Sequence, residues 1–177
     1  MSKKRIATVW LDGCSGCHMS LLDMDERLLT VASMADVVYS PLVDAKEFPE
    51  DVDVTLVEGA VSSEEDLHKI KIVRARTKTL VSLGDCAVTA NVPGMRNPFG
   101  TKSVYDRAYR ENVTFDPGIP NQVVPALLPN SRPVHEFVNV DVFVPGCPPS
   151  ADTIYFVVSE LLEGRQPDVS SISRFGS

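Results

Sequence analysis

The 177-residue chain lacks any run close to the ~18 apolar residues that a membrane-spanning helix requires. It also lacks an excess of positive charge, because 17 Lys and Arg stand against 24 Asp and Glu, for a formal net charge of −7. Nucleic-acid binding depends on a basic surface that neutralises phosphates. We therefore expect neither a membrane span nor a nucleic-acid partner.

We also expect no export signal. The basic stretch 1–5 is similar to the start of a signal peptide, but the apolar run that follows it, 6–11, is shorter than the ~7–15 residues of a signal core. No twin-arginine pair is present. We therefore expect a cytoplasmic protein. Disulfides are rare in that reducing compartment, so the four cysteines are expected to bind metal rather than to pair.

The pattern of apolar residues predicts the fold class. Apolar residues make up 44 % of the chain, which is enough for a hydrophobic core. Strand-like runs alternate with helical periodicity, which predicts an α/β fold with a mainly parallel sheet and helices on both faces. Strands are expected at 5–11, 37–39, 53–57, 78–83 and 139–144, and helices at 19–35, 62–76 and 150–164. Ser62 and Glu65 form a capping box for the second helix, and the single Trp10 is expected in the core.

One stretch departs from this alternation. The segment 92–134 contains seven of the thirteen prolines and offers one helix, at 102–111. A long irregular segment usually has a function or covers a partner surface, although a surface excursion without a role is equally compatible with the pattern. We expect a single domain over 1–177 that includes this Pro-rich excursion and a short C-terminal tail, 165–177.

All four cysteines are expected just beyond the carboxyl ends of strands. Cys14 and Cys17 follow the first predicted strand, Cys86 follows the fourth and Cys147 follows the fifth. In an open α/β sheet these strand ends share one edge, where ligands bind. The four thiols are therefore predicted to meet there, although they are far apart in sequence. Four thiolates on one edge suit a [4Fe–4S] cluster.

Three other interpretations of the cysteines compete with the cluster. Structural zinc on four thiolates usually takes two closely spaced pairs, and only one is present here. A c-type haem would use Cys14, Cys17 and His18 in a C-x-x-C-H motif, and a thioredoxin-like redox pair would use the same two cysteines. Neither of these explains Cys86 or Cys147. A zinc-stabilised binding module with four cysteine ligands is kept as the alternative.

Several residues near the cysteines are candidates for a supporting role. Glycine allows a close backbone approach and exposes N–H groups to sulfur, which helps to set a cluster's potential. Glu58 follows the third strand and is expected on the same edge, where it could carry protons, tune the cluster by its charge or form a salt bridge. Asp85 is expected to accept hydrogen bonds from backbone N–H groups of its loop. His18 could lie near the cluster, but the favoured interpretation is a helix-entry residue with no task. The residues expected to surround the cysteine ligands in this way are Gly13, Gly16, Glu58, Gly84 and Gly146.

Taken together, four motifs resemble those of a known family. They are Cys14-Ser15-Gly16-Cys17, Glu58-Gly59-Ala60, Gly84-Asp85-Cys86 and Pro145-Gly146-Cys147-Pro148-Pro149. In this order they resemble the small subunit of [NiFe] hydrogenases, a module shared with the 20-kDa-type subunit of NADH:quinone oxidoreductases. Within this family, the chain resembles the subgroup of cytoplasmic, bidirectional NAD-linked hydrogenases. Three features carry this resemblance: the stretch 86–97, the shortness of the chain and the expected absence of an export signal. Ser15 and Gly16 separate a pair of cysteines that is typically adjacent in the quinone-oxidoreductase branch.

The resemblance implies a flavodoxin-like fold and an electron-transfer role in a hydrogen:NAD⁺ oxidoreductase. It implies one [4Fe–4S] cluster on Cys14, Cys17, Cys86 and Cys147, proximal to a Ni–Fe site in a separate large subunit. Electrons would continue to flavin- and iron–sulfur-containing diaphorase subunits, and this chain would hold no catalytic residue for splitting hydrogen. A related subunit of a quinone oxidoreductase complex is the alternative. FMN is not expected on this chain, because cysteines occupy the loop in which a flavodoxin holds phosphate.

Overall fold

Five parallel strands form the central sheet of the computed structural model, which describes residues 3–176. They are β1 (Lys4–Trp10), β2 (Ala35–Tyr39), β3 (Val52–Glu58), β5 (Thr77–Leu83) and β7 (Val142–Val144). Their order across the sheet is β2-β1-β3-β5-β7, which is the flavodoxin-like, doubly wound order. Met1 and Ser2 of the basic stretch, and Ser177 of the tail, lie outside the described residues.

Helices cover both faces of this sheet. They are α1 (Gly16–Leu22), α2 (Arg27–Met34), α3 (Glu64–Arg76), α4 (Gly84–Thr89), α5 (Asn91–Gly94), α6 (Gly100–Asp106) and α7 (Ala151–Leu162). Successive strand residues point to opposite faces. In β1, Ile6 joins a core with Val31 of α2 and Ile154 of α7, and Ala7 joins a second core with Ile70 of α3. The predicted α/β architecture is confirmed, and none of the helices among residues 3–176 is long and apolar enough to cross a membrane.

The predicted helix over 19–35 is wrong as a single element. The chain forms α1 and α2 instead, separated by a turn in which Asp25 adopts a positive φ of 50°. The turn buries Met24, whose side chain is 2 % exposed, so tertiary packing interrupts a periodic sequence. Trp10 was also placed wrongly, because it is the last residue of β1 and is 43 % exposed.

The capping box of α3 lies one residue later than predicted. Ser63 accepts a hydrogen bond from the Asp66 backbone N–H at 3.1 Å, and the Asp66 carboxylate accepts one from the Ser63 backbone N–H at 2.9 Å. The Ser62 hydroxyl instead donates to the Ser131 hydroxyl at 2.8 Å. Ser62 is therefore occupied by the neighbouring strand and does not cap the helix.

The Pro-rich excursion is partly ordered. The predicted helix at 102–111 corresponds to α6 and a π-helical turn over Arg107–Glu111. Two strands were not predicted, β4 (Val61–Ser63) and β6 (Leu127–Arg132), which pair as an antiparallel ribbon. Arg96 donates to the carbonyls of Ser62 at 3.0 Å and Leu128 at 2.9 Å, and Asn97 exchanges two hydrogen bonds with Ser131. These bonds tie the excursion to the ribbon.

The position of the capping box can be tested with two adjacent acidic residues. Asp66→Ala is expected to lower the free energy of unfolding by about 1–2 kcal/mol, because two backbone N–H groups lose their acceptor. Glu65→Ala is the control, since Glu65 makes only an exposed pair with Lys69 at 3.8 Å, and it should cost less than about 0.5 kcal/mol. Denaturant unfolding of both variants measures the difference, and equal losses would contradict the assignment.

Candidate metal centre

The four cysteines line a single cavity of about 60 Å³ at the carboxyl edge of the sheet. Cys14 lies in the loop after β1, and Cys17 lies in the first turn of α1. Cys86 lies in the first turn of α4, directly after β5, and Cys147 lies in the loop after β7. These strands run parallel, so their carboxyl ends coincide. The structure thus brings together the four side chains that the sequence predicts at this edge.

The cavity fits a sulfur-ligated group of several atoms. One water needs only ~10–15 Å³, so about 60 Å³ holds more than a single water molecule. All four cysteines are free thiols, of which Cys17 and Cys86 are buried and Cys14 and Cys147 are exposed. Within residues 3–176, no three His, Cys, Asp or Glu side chains converge on the position of one metal ion. A set of four cysteine ligands is the donor set of iron–sulfur clusters.

The buried thiols are in an environment that disfavours their charge. Burial raises the pKa of Cys17 far above its usual value, and the negative charges of Glu58 and the other three cysteines add to this. Burial also raises the pKa of Cys86, although a hydrogen bond from the Val92 backbone N–H acts in the opposite direction. Metal binding requires thiolates and compensates their charge. A bound cationic centre would therefore relieve the repulsion among these side chains.

Glycines make room for the sulfur atoms. Gly84 has φ of +82°, and a Cβ on it would lie 2.2 Å from the Cys17 Sγ. A Cβ on Gly16 would lie 3.2 Å from the Cys14 Sγ, and Gly16 and Gly146 both line the cavity. At Gly13, the closest neighbour of a Cβ would be the backbone of Gly59 at 3.3 Å, followed by the Glu58 Oε1 at 3.8 Å.

Three N–H groups point at the sulfur atoms. The Gly16 backbone N–H donates to the Cys14 Sγ at 3.4 Å, and the Asn91 side-chain amide donates to the Cys147 Sγ at 3.6 Å. The third donor is the Val92 N–H towards Cys86. Sequence reasoning missed the donors at 91 and 92. Ala90 adopts a left-handed φ of 64° between α4 and α5, a change of direction for which the sequence contains no glycine signal.

Glu58 begins a chain of buried polar groups. It lines the cavity and is 2 % exposed. Its Oε2 accepts the His18 backbone N–H at 2.9 Å and lies 2.5 Å from the His18 Nδ1. The His18 Nε2 lies 3.0 Å from the Thr8 hydroxyl, which donates to the Ser40 hydroxyl at 2.8 Å. The buried His18 ring therefore connects the cavity-lining Glu58 to Thr8, which bonds to the residue after β2.

The family of the chain follows from a match to a known sequence model. The model of the NADH ubiquinone oxidoreductase 20 Kd subunit matches residues 14–161, which include all four cysteines. The chain belongs to this family. The NADH ubiquinone oxidoreductase 20 Kd subunit family is the wider family that the four sequence motifs indicate, so that prediction is confirmed.

Several relatives of the chain are hydrogenase subunits. The chain is 41 % identical to the NAD-reducing hydrogenase HoxS subunit delta of Cupriavidus necator, over 98 % of this chain and 86 % of that protein. It is 37 % and 39 % identical to subunits of the F420-non-reducing hydrogenases of Methanocaldococcus jannaschii and Methanothermobacter marburgensis, over 92 % and 96 % of this chain. It spans only 57 % and 56 % of the length of these two archaeal relatives.

Solved structures agree with the sequence relatives. A chain of an NAD⁺-reducing [NiFe]-hydrogenase in the H2-reduced state superposes with a TM-score of 0.93 at 37 % identity, over 98 % of this chain and 99 % of that one. A chain of the [NiFeSe]-hydrogenase of Dm. baculatum matches with a TM-score of 0.61 at 18 % identity, which supports the fold alone. The predicted fold class is therefore confirmed by comparison as well as by strand order.

The space beside Cys17 can be tested with two glycines of similar φ. Gly84→Ala is expected to abolish metal loading, because its Cβ would overlap the Cys17 Sγ. Gly100→Ala is the control, since Gly100 has φ of +74° and nothing within 4 Å of its Cβ position. It carries the same backbone strain without the crowding. The measurement is the metal content of both variants after anaerobic purification. An equal loss of metal in both variants would refute the steric explanation.

Proposed function

We propose that this chain is the electron-transfer subunit of an NAD-reducing [NiFe] hydrogenase and holds one [4Fe–4S] cluster on Cys14, Cys17, Cys86 and Cys147. The observation that carries the proposal is the single cavity lined by these four thiols. The likeness of the chain, over nearly its whole length, to a chain of an NAD⁺-reducing [NiFe]-hydrogenase supports the choice of enzyme. Cys14 and Cys17 are not adjacent, which favours this enzyme over a quinone oxidoreductase complex.

The residues around the cavity would hold such a cluster through different contacts. When bound, a [4Fe–4S] cluster accepts and releases single electrons. Cys17 and Cys86 would hold it from the buried side, and the exposed Cys14 and Cys147 would hold it towards the protein surface. The N–H donors of Gly16, Asn91 and Val92 would stabilise the negative charge that reduction adds.

The partners follow from the same proposal. The cluster would be the one proximal to the Ni–Fe site of a large subunit and would relay electrons to flavin- and iron–sulfur-containing diaphorase subunits in the cytoplasm.

The Pro-rich excursion supports a large interface, because many of its apolar side chains are exposed, and such patches mark interaction sites. These side chains are Val92, Met95, Phe99, Phe115, Val123 and Val124.

Anaerobic purification of the chain with its associated subunits tests this function. We expect about four irons and four sulfides on this chain, following the cluster type. We also expect an EPR signal that appears when the cluster is reduced, and a nickel-containing subunit in the same complex. One zinc without sulfide would support the zinc-stabilised module instead. A cluster in a complex without nickel would support the quinone-oxidoreductase alternative.

The contribution of Asn91 can be measured separately. Asn91→Ala removes the donor to the Cys147 Sγ and is expected to lower the reduction potential of the cluster. One hydrogen bond of about 1 kcal/mol corresponds to about 40 mV for a one-electron couple. Asn97→Ala is the matched control, because Asn97 bonds to Ser131 rather than to a thiol. An EPR-monitored redox titration that finds equal potentials in the two variants would exclude this role.

A further inference from the structure

Asp85 joins three separate segments of the chain. It lies next to Cys86 in the first turn of α4 and is 5 % exposed. Its Oδ1 accepts the Gly146 backbone N–H at 2.7 Å, and its Oδ2 accepts the Gly176 backbone N–H at 2.7 Å. Its own backbone N–H donates to the Gly146 carbonyl at 2.8 Å. One residue therefore connects the Cys86 turn, the Cys147 loop and the C-terminal tail.

The tail over 165–176 runs back from α7 to the cysteine loops and is attached along its length. Val169 packs against the core on the α7 face of the sheet. The Thr153 hydroxyl donates to the Ile172 carbonyl at 3.1 Å, and the Ser173 hydroxyl donates to the Pro145 carbonyl. The tail thus contacts the Cys147 loop directly through Ser173 and indirectly through Asp85.

Both oxygens of Asp85 are needed in this arrangement. A carboxylate can accept two N–H groups at once, and hydrogen bonds to a charged acceptor are stronger than neutral ones. An asparagine of the same shape offers one acceptor oxygen, so its amide N–H₂ would face one of the two backbone donors. The contact is therefore specific to aspartate rather than to a side chain of that size.

We propose that Asp85 is a positioning residue that holds the Cys147 loop against the Cys86 turn, and that the tail over 165–176 is a strap that keeps Asp85 in place. The inference rests on the proposed function only in that a metal group occupies the cysteine-lined cavity. The strap acts on the retention of that group, because it holds together two of the loops that supply ligands. Partners that orient metal ligands in this way contribute strongly to metal affinity.

Release of iron from the anaerobic holo-complex to a chelator tests the strap. Asp85→Asn is expected to accelerate iron loss by about ten- to a hundredfold and to alter the EPR line shape of the reduced cluster. Deletion of residues 176–177 removes the donor to Oδ2 and is expected to act in the same direction with a smaller effect. Because both changes act on hydrogen bonds to the same side chain, the combined variant should lose iron more slowly than two independent effects would predict.

Two control variants separate the strap from general effects. Asp168→Asn makes the same change of charge in the tail, but Asp168 bonds only to Ser170. Asp66→Ala destabilises α3 without touching the cysteine loops. Both should keep the wild-type rate of iron loss and the wild-type EPR signal. If either accelerates iron loss as much as Asp85→Asn does, the strap is refuted.

The outcomes also distinguish this inference from the proposed function. If the wild-type complex carries the cluster and neither Asp85→Asn nor the 176–177 deletion accelerates iron loss, only the strap fails. If Asp85→Asn does not fold, the deletion decides. If the wild-type chain binds zinc instead, the proposed function fails, and the same variants tested by zinc release still decide whether the strap retains the bound metal.

Discussion

Burying Cys17 and Cys86 beside a small cavity raises the free energy of their charged form, and this edge of the sheet is built around that constraint. The pKa of Cys17 is raised by burial, by Glu58 and by the other thiols together. Glycine at 84 gives the Cys17 sulfur its space. Backbone and amide N–H groups at 16, 91 and 92 supply partial positive charge to the other three sulfurs. Each of these features would help to hold a cationic group among the thiolates.

The sequence predicts the location of the thiols well because parallel strands have a simple geometry. Once strands are placed before Cys14, Cys86 and Cys147, their carboxyl ends must share an edge. The groups that bind to the sulfurs or hold their loops are harder to predict. Asn91 reaches Cys147 only because Ala90 turns the chain with a positive φ. Asp85 was expected to bond within its own loop, whereas its partners are at 146 and 176.

Errors in the predicted elements have a common physical origin, which is that tertiary contacts override local patterns. Ser62 is a good capping residue by type, but its hydroxyl is taken by Ser131 of β6. The apolar periodicity over 19–35 continues through a turn that exists to bury Met24. In the sequence, His18 resembles any other residue near the start of a helix. Only the assembled sheet places Glu58 and Thr8 on either side of its ring.

The strand order has a consequence for how the protein matures. Cys14 lies near the start of the chain and Cys147 near its end, and β3 and β5 separate β1 from β7. Contacts between the Cys14 loop and the Cys147 loop join residues that are far apart in sequence. Contacts of this kind form late in folding, because long loops must close first. The complete ligand set therefore exists only after β7 has joined the sheet. A group bound by all four thiols would therefore be held completely only once β7 has joined the sheet.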